Sequence, residues 1–191
     1  MKTFITALVL AGAVGTSASA QDWAGFYGGV SLGSHSGDKC YDGGGGEGGE
    51  CPQYFIEGDD ISLLAGYNFT NGPWVYGAEL SASVDGVAQE DFDTEYLMSN
   101  FIDLKLRGGY VVSDILLFGS LGYSIADADE NGTPVDASGA LFSIGADYFV
   151  TDRFFIGAEY MTRFMEADAD TLDFTFEEEI KTLSIRAGYK F

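Results

Sequence analysis

Positive charge is scarce in this chain. Its 191 residues include 9 Lys and Arg against 30 Asp and Glu, a formal net charge of −21. Proteins that grip nucleic acid neutralise phosphates with Lys and Arg, so that class of partner is excluded. Histidine occurs once, at His35, and cysteine twice, at Cys40 and Cys51. A His/Cys metal centre needs more ligands than these supply. Long apolar runs are also missing. A spanning helix needs roughly 18 apolar residues, and the run from Phe4 to Val14 falls short of it. What the chain has in quantity is glycine, 27 residues, and aromatics, 15%. With the regular alternation below, that composition does not fit a disordered acidic tail.

Residues 1–20 read as a secretory signal peptide. Lys2 supplies the positive start, the short apolar run follows, and Ala18-Ser19-Ala20 is a small-residue cleavage site. Cleavage before Gln21 leaves 191 − 20 = 171 residues, one domain by size, with 8 basic residues against 30 acidic ones. In an exported chain, Cys40 and Cys51 are expected to pair as a disulfide.

The closing stretch, 180–191, alternates with period two. Leu183, Ile185, Ala187, Tyr189 and Phe191 point one way; Thr182, Ser184, Arg186, Gly188 and Lys190 point the other. That is a strand with one apolar and one polar face. Its aromatic ending resembles the closing strand of bacterial outer-membrane β-barrels, where a terminal aromatic is the usual assembly signal. The resemblance implies a barrel-assembly machinery as a partner of this strand. Asp22-Trp23-Ala24-Gly25-Phe26-Tyr27-Gly28-Gly29 at the other end looks like the first strand of small porin-like surface proteins of Gram-negative bacteria, relatives of the OmpA/OmpX-type barrels.

Between the two ends the same alternation recurs, at about 60–69, 74–84, 99–112, 115–126, 139–149 and 154–165. The count is eight strands of roughly ten residues, as spanning β-strands of ~9–11 residues require. Their connections alternate long and short: 34–58, 85–98, 127–138 and 166–179 are long loops, while 70–73, 113–114 and 150–153 are tight turns. Leu172, Phe174 and Phe176 could extend a hairpin above the strands. The sequence predicts an all-β fold, an eight-stranded antiparallel up-and-down transmembrane β-barrel over residues 21–191.

Two patterns separate a membrane barrel from a soluble one. Phe26, Phe69, Trp74, Tyr110, Tyr148, Phe154, Tyr189 and Phe191 all fall on the apolar face at the short-turn rim, as an aromatic girdle at a membrane interface. The opposite face carries Glu79, Asp103, Lys105, Arg107, Asp147, Glu159, Arg163, Arg186 and Lys190. This set is intolerable in an apolar ligand pocket and suits the polar interior of a small membrane barrel. An eight-stranded barrel is just wide enough to be filled by its side chains, so charges inside must pair. Glu79 with Arg107, and Glu159 with Arg186, lie at matching heights on neighbouring strands. OmpA-type barrels carry a comparable interior cluster, and the resemblance implies a plugged or gated lumen.

Segments 34–60, 85–98, 127–138 and 166–179 hold 7, 5, 4 and 7 acidic residues, 23 of the 30. They would form an acidic crown. Repulsion between loop tips explains it, as does weak attraction of divalent cations at a lipopolysaccharide surface. Asp127-Ala128-Asp129-Glu130-Asn131-Gly132 matches the first half of an EF-hand loop, but position twelve is Ser138 where a bidentate Glu is needed, so no metal site is assigned. His35 sits between Ser34 and Ser36 beside a glycine-rich loop, a poor place for a pre-organised base, and reads as an ordinary surface histidine. No catalytic or cofactor residues are assigned. The expected role is structural: a rigid barrel in outer-membrane lipid and lipopolysaccharide, presenting acidic loops. A narrow or gated channel is the alternative, and a lipid-modifying enzyme the third reading.

Overall fold

The computed structural model describes the backbone of residues 22–42, 54–84, 87–91, 94–130, 133–168 and 175–191. The signal peptide read at 1–20 lies outside these residues, as does Cys51. Among the described residues there are nine strands: β1 (Gly25–Asp42), β2 (Tyr54–Asn71), β3 (Trp74–Ser83), β4 (Val87–Asp91), β5 (Thr94–Val112), β6 (Ile115–Glu130), β7 (Thr133–Phe149), β8 (Phe154–Asp168) and β9 (Thr175–Lys190). Neighbours pair antiparallel in the order β3-β2-β1-β9-β8-β7-β6-β5-β4, and β3 also pairs with β5. This closes the sheet. β3 and β4 are two pieces of one stave, since both pair with β5, so the barrel has eight staves.

Closure satisfies the backbone of every stave, which is what lets a sheet cross hydrocarbon. The last strand makes the seam. β9 pairs with β8 on one side and β1 on the other, and the Phe191 amide donates to the Phe26 carbonyl at 2.9 Å.

The alternation is inverted relative to a soluble barrel. Ile185 is 68% exposed, while its neighbour Arg186 is 1% exposed. Val30, Leu63, Leu80, Leu106, Leu121, Ile144 and Ile156 likewise point outward. Strand period two places each such residue beside an inward polar or small one.

The strands overrun the ranges read from hydropathy. β1 has 18 residues and β5 has 19, against ~9–11 for a membrane crossing. Much of 34–58, 85–98, 127–138 and 166–179 is therefore paired strand rather than loop: Ser34 opposes Leu183, Asp42 opposes Thr175, and Asp127 opposes Asp136. Beyond the apolar band the outward face carries polar residues such as Ser34, Asp59, Asp127 and Glu166, so the ladder continues while the apolar alternation that would reveal it disappears. Asp127 to Glu130 belongs to β6.

One irregularity shapes the interior. The register of β5 slips between Ser99 and Ile102, and Asn100 takes a φ of 55°. This bulge turns Phe101 inward, where it is buried, and its amide donates to Ser83 Oγ at 2.8 Å. β3 ends at that serine.

Candidate functional site: the charged lumen

The barrel interior is layered. In the middle, three carboxylates meet three cations. Glu79 is reached by Lys105 Nζ at 2.7 Å, Arg107 Nη1 at 2.9 Å and Arg186 Nη1 at 3.2 Å. Glu159 accepts from Lys105 Nζ at 3.1 Å and from Arg186 Nη1 at 3.0 Å. Asp147 accepts from Arg107 Nη2 at 2.9 Å and lies 3.2 Å from Arg186 Nε. Tyr27 completes the layer: its hydroxyl donates to Glu79 Oε2 at 2.7 Å and accepts from Arg107 Nη1 at 2.6 Å. All seven side chains are buried. The formal charges cancel, and Coulomb attraction in a poorly hydrated interior offsets the large cost of removing ions from water.

The backbone explains why these groups meet. Glu79 and Lys105 are direct cross-strand partners, as are Gly77 and Arg107, so both cations fall within reach of one carboxylate. Asp147 opposes Gly157, which opposes Arg186. A Cβ on Gly157 would strike the Asp147 carboxylate and crowd Arg186. Glycine at that position is what lets the pair close. Gly66 plays the same part for Tyr27, whose ring fills the space a Cβ would need.

The predicted pairs Glu79/Arg107 and Glu159/Arg186 are both within ion-pair distance. The structure adds contacts that strand adjacency does not reveal. Arg186 reaches across the lumen to Glu79, and Lys105 reaches Glu159, over sequence separations of 107 and 54 residues. Such contacts depend on how the staggered staves close, which the strand pattern leaves open.

Nearer the long-loop end lies a second network. Arg163 donates to Asp103 through Nε at 3.0 Å and Nη2 at 2.7 Å, and its Nη1 donates to Thr182 Oγ1 at 2.8 Å. Thr182 Oγ1 lies 2.9 Å from His35 Nδ1, and His35 Nε2 lies 2.9 Å from Asp60 Oδ1. The His35 ring stacks on Phe101 with centroids 5.8 Å apart. His35 is thus no surface histidine. It is 3% exposed, because β1 continues past the apolar band and position 35 keeps the inward parity of Tyr27 and Gly33. Glu178, in a segment read as loop, is buried on the inward parity of β9 as well.

Toward the short turns the lumen becomes apolar. Trp23, Tyr27, Leu64, Val75, Leu116, Phe118, Phe149 and Phe155 form one buried cluster. Trp23 packs on Phe149 with centroids 4.0 Å apart, and the Phe118 ring lies under the Arg107 guanidinium at 3.9 Å. Hydropathy alternation misses this layer, because Val75, Leu116 and Phe155 sit at inward positions while flanked by outward apolar residues.

At the short-turn rim, Phe26, Phe69, Trp74, Tyr110, Tyr148, Phe154 and Phe191 are exposed, and Tyr189 is half-buried. Neighbouring rings meet edge-on: Trp74 with Tyr110 at 5.0 Å, Phe154 with Tyr189 at 4.9 Å, and Tyr189 with Phe191 at 5.3 Å. Cys40 lies in β1 opposite Glu177. Among the described residues no disulfide is present, and its expected partner Cys51 is outside them.

A family model described as the outer membrane protein beta-barrel domain matches residues 4–191. A 22 kDa outer membrane protein of Rhizobium leguminosarum bv. viciae is 28% identical over 133 residues, covering 66% of this chain and 62% of that protein. The chain thus spans less than two thirds of that relative's length. Among solved structures, Neisserial surface protein A superposes with a TM-score of 0.56 at 12% identity, over 88% of this chain and 98% of that one. The attachment invasion locus protein Ail of Yersinia pestis, solved with the heparin analogue sucrose octasulfate, gives 0.50 at 16% identity, over 87% and 99%. At these identities the likeness is one of fold.

Proposed function

The chain belongs to the outer membrane protein β-barrel family, and from that premise we propose that it is a closed structural barrel of the outer membrane which displays acidic loops at the cell surface. The short turns would face the periplasm and the long hairpins the outside, as loop length and the rim aromatics suggest. The observation that carries the reading is the lumen. Glu79, Asp147 and Glu159 are matched by Lys105, Arg107 and Arg186, with an apolar cluster beneath them. Such an interior ties the staves together and, among the described residues, fills the middle of the lumen with paired side chains. The acidic residues of the four hairpin segments keep the surface anionic. A polyanion of the kind named in the Ail complex would be repelled, and divalent cations weakly attracted. The chemistry is that of a scaffold rather than an enzyme: His35 and Thr182 are enclosed and engaged by Asp60 and Arg163.

A gated channel is the second reading. It is favoured by one feature, the sharing of Glu79 among Lys105, Arg107 and Arg186, which would let partners exchange. Planar-bilayer recording from the refolded barrel tests the two. A closed scaffold passes no current above the bare-membrane level. Discrete, reproducible openings that change with Lys105→Gln or Arg186→Gln establish the channel instead.

A further inference from the structure

The motif Asp22-Trp23-Ala24-Gly25 leads into the first strand, which begins at Gly25. We propose that it is a hinged stopper, seated in the short-turn mouth of the lumen and latched there by Lys190. The inference rests on the closed-lumen reading and assigns the closure of that mouth to a particular segment.

Four observations support it. The indole of Trp23 is buried although its residue belongs to no strand, and it fills the centre of the apolar layer against Phe149 and Phe155. Gly25 takes a φ of +115°, a conformation open to glycine and strained for any L side chain. It turns the chain from the wall into the mouth. The latch is double: Lys190 Nζ donates to the Asp22 carbonyl and lies 3.1 Å from Asp22 Oδ2. Asp22 Oδ1 in turn accepts from the Ala24 amide at 2.9 Å, which fixes the short loop. That amide and the Lys190 ammonium hold the Asp22 carboxyl below its ordinary pKa, so the tie is ionised throughout the neutral range.

The seat is also imperfect. The indole N–H of Trp23 has no acceptor among the described residues. A buried donor without a partner opposes its own burial, whereas water would satisfy it. Unseating would recover a hydrogen bond that seating forgoes, which offsets part of the cost of exposing the ring. The motif divides its labour by residue: Asp22 takes the latch, Trp23 the plug and Gly25 the hinge. Phe26 faces outward at the short-turn rim, and Tyr27 joins the ion layer.

The chain has two tryptophans, Trp23 and Trp74, so Trp74→Phe makes Trp23 the sole emitter. In that protein, refolded in liposomes, the Trp23 emission should resist acrylamide at least five-fold better than free indole. Adding Lys190→Gln or Gly25→Ala should raise its quenching several-fold. In a second arm, Val75→Cys is placed in a Cys40→Ser, Cys51→Ser background. A water-soluble maleimide should fail to label that cysteine until Trp23→Ala is added. Free quenching of Trp23 in the Trp74→Phe protein overturns the proposal. So does protected emission that neither latch nor hinge variant alters, or labelling at Val75→Cys while Trp23 is present. If Trp23→Ala does not fold, the quenching arm decides. Current through the unaltered barrel would overturn the closed-lumen reading and leave the seating of Trp23 to the quenching result.

Discussion

Replacing Arg186 with glutamine puts the largest strain on the ion layer. Arg186 is 1% exposed and touches Glu79, Asp147 and Glu159. Without it, three carboxylates face two cations, Lys105 and Arg107. Asp147 keeps one partner, and Glu159 keeps Lys105, which Glu79 also uses. Glutamine is shorter and neutral, so it restores neither the charge nor the reach. Removing one member of a buried ion pair costs about 3–5 kcal/mol, chiefly because the other member is stranded. That corresponds to roughly a 150- to 4000-fold drop in the folding equilibrium constant. Urea unfolding of the barrel in lipid vesicles, followed by tryptophan emission, reads it directly. Glu57→Gln, at an exposed position on the β2 extension, is the control, expected within about 0.5 kcal/mol of the parent. The double variant Glu79→Gln/Arg186→Gln removes one charge of each sign, so its loss should fall short of the sum by roughly 0.5–3 kcal/mol. A loss under about 1 kcal/mol for Arg186→Gln, or strict additivity in the double variant, would refute the reasoning.

Three further outcomes are expected. His35→Leu leaves the buried Asp60 carboxylate without its ring partner and should cost about 1–3 kcal/mol, where a surface histidine would cost almost nothing; a neutral unfolding curve contradicts the second network. Protease added to intact cells should cut only within 34–58, 85–98, 127–138 and 166–179, and cleavage confined to 70–73, 113–114 or 150–153 would reverse the orientation. Cys40 and Cys51 should resist thiol reagents until reduced. Their loop of about a dozen residues gives at most ~3 kcal/mol in the chain-entropy model, with a smaller effect on the barrel; two free thiols in protein isolated from an oxidising compartment exclude the pairing.

The parts of the fold that the sequence reveals are those where surroundings differ across the wall. Between Phe26 and Leu32, or between Leu183 and Phe191, one face meets lipid and the other the lumen, so hydropathy alternates and the strand is visible. Past Leu32 that contrast fades, and the rest of β1 looks like loop although it pairs with β9 as far as Asp42. The same loss of contrast hides His35 and Glu178, whose inward positions follow only once the strands are known to continue. Charges on adjacent staves, such as Glu79 and Arg107, can be matched by counting from the turns. Contacts across the lumen, such as Arg186 with Glu79, require the stagger of the closed barrel. The apolar layer with Trp23 at its centre breaks the rule that inward means polar, since a narrow mouth is closed more cheaply by rings than by ions stripped of water.

The central claim is that the interior is filled and paired while the apolar face looks outward. Ser120 and Leu121 are neighbours on β6, one buried in the lumen and the other 58% exposed on the wall. In a Cys40→Ser, Cys51→Ser background, each is replaced singly by cysteine and the refolded barrel is treated in vesicles with a water-soluble and a membrane-soluble maleimide. The account predicts that the cysteine at 120 resists both reagents and the one at 121 reacts only with the membrane-soluble one. Rapid labelling at 120 by the water-soluble reagent would show a wet, open lumen and contradict it.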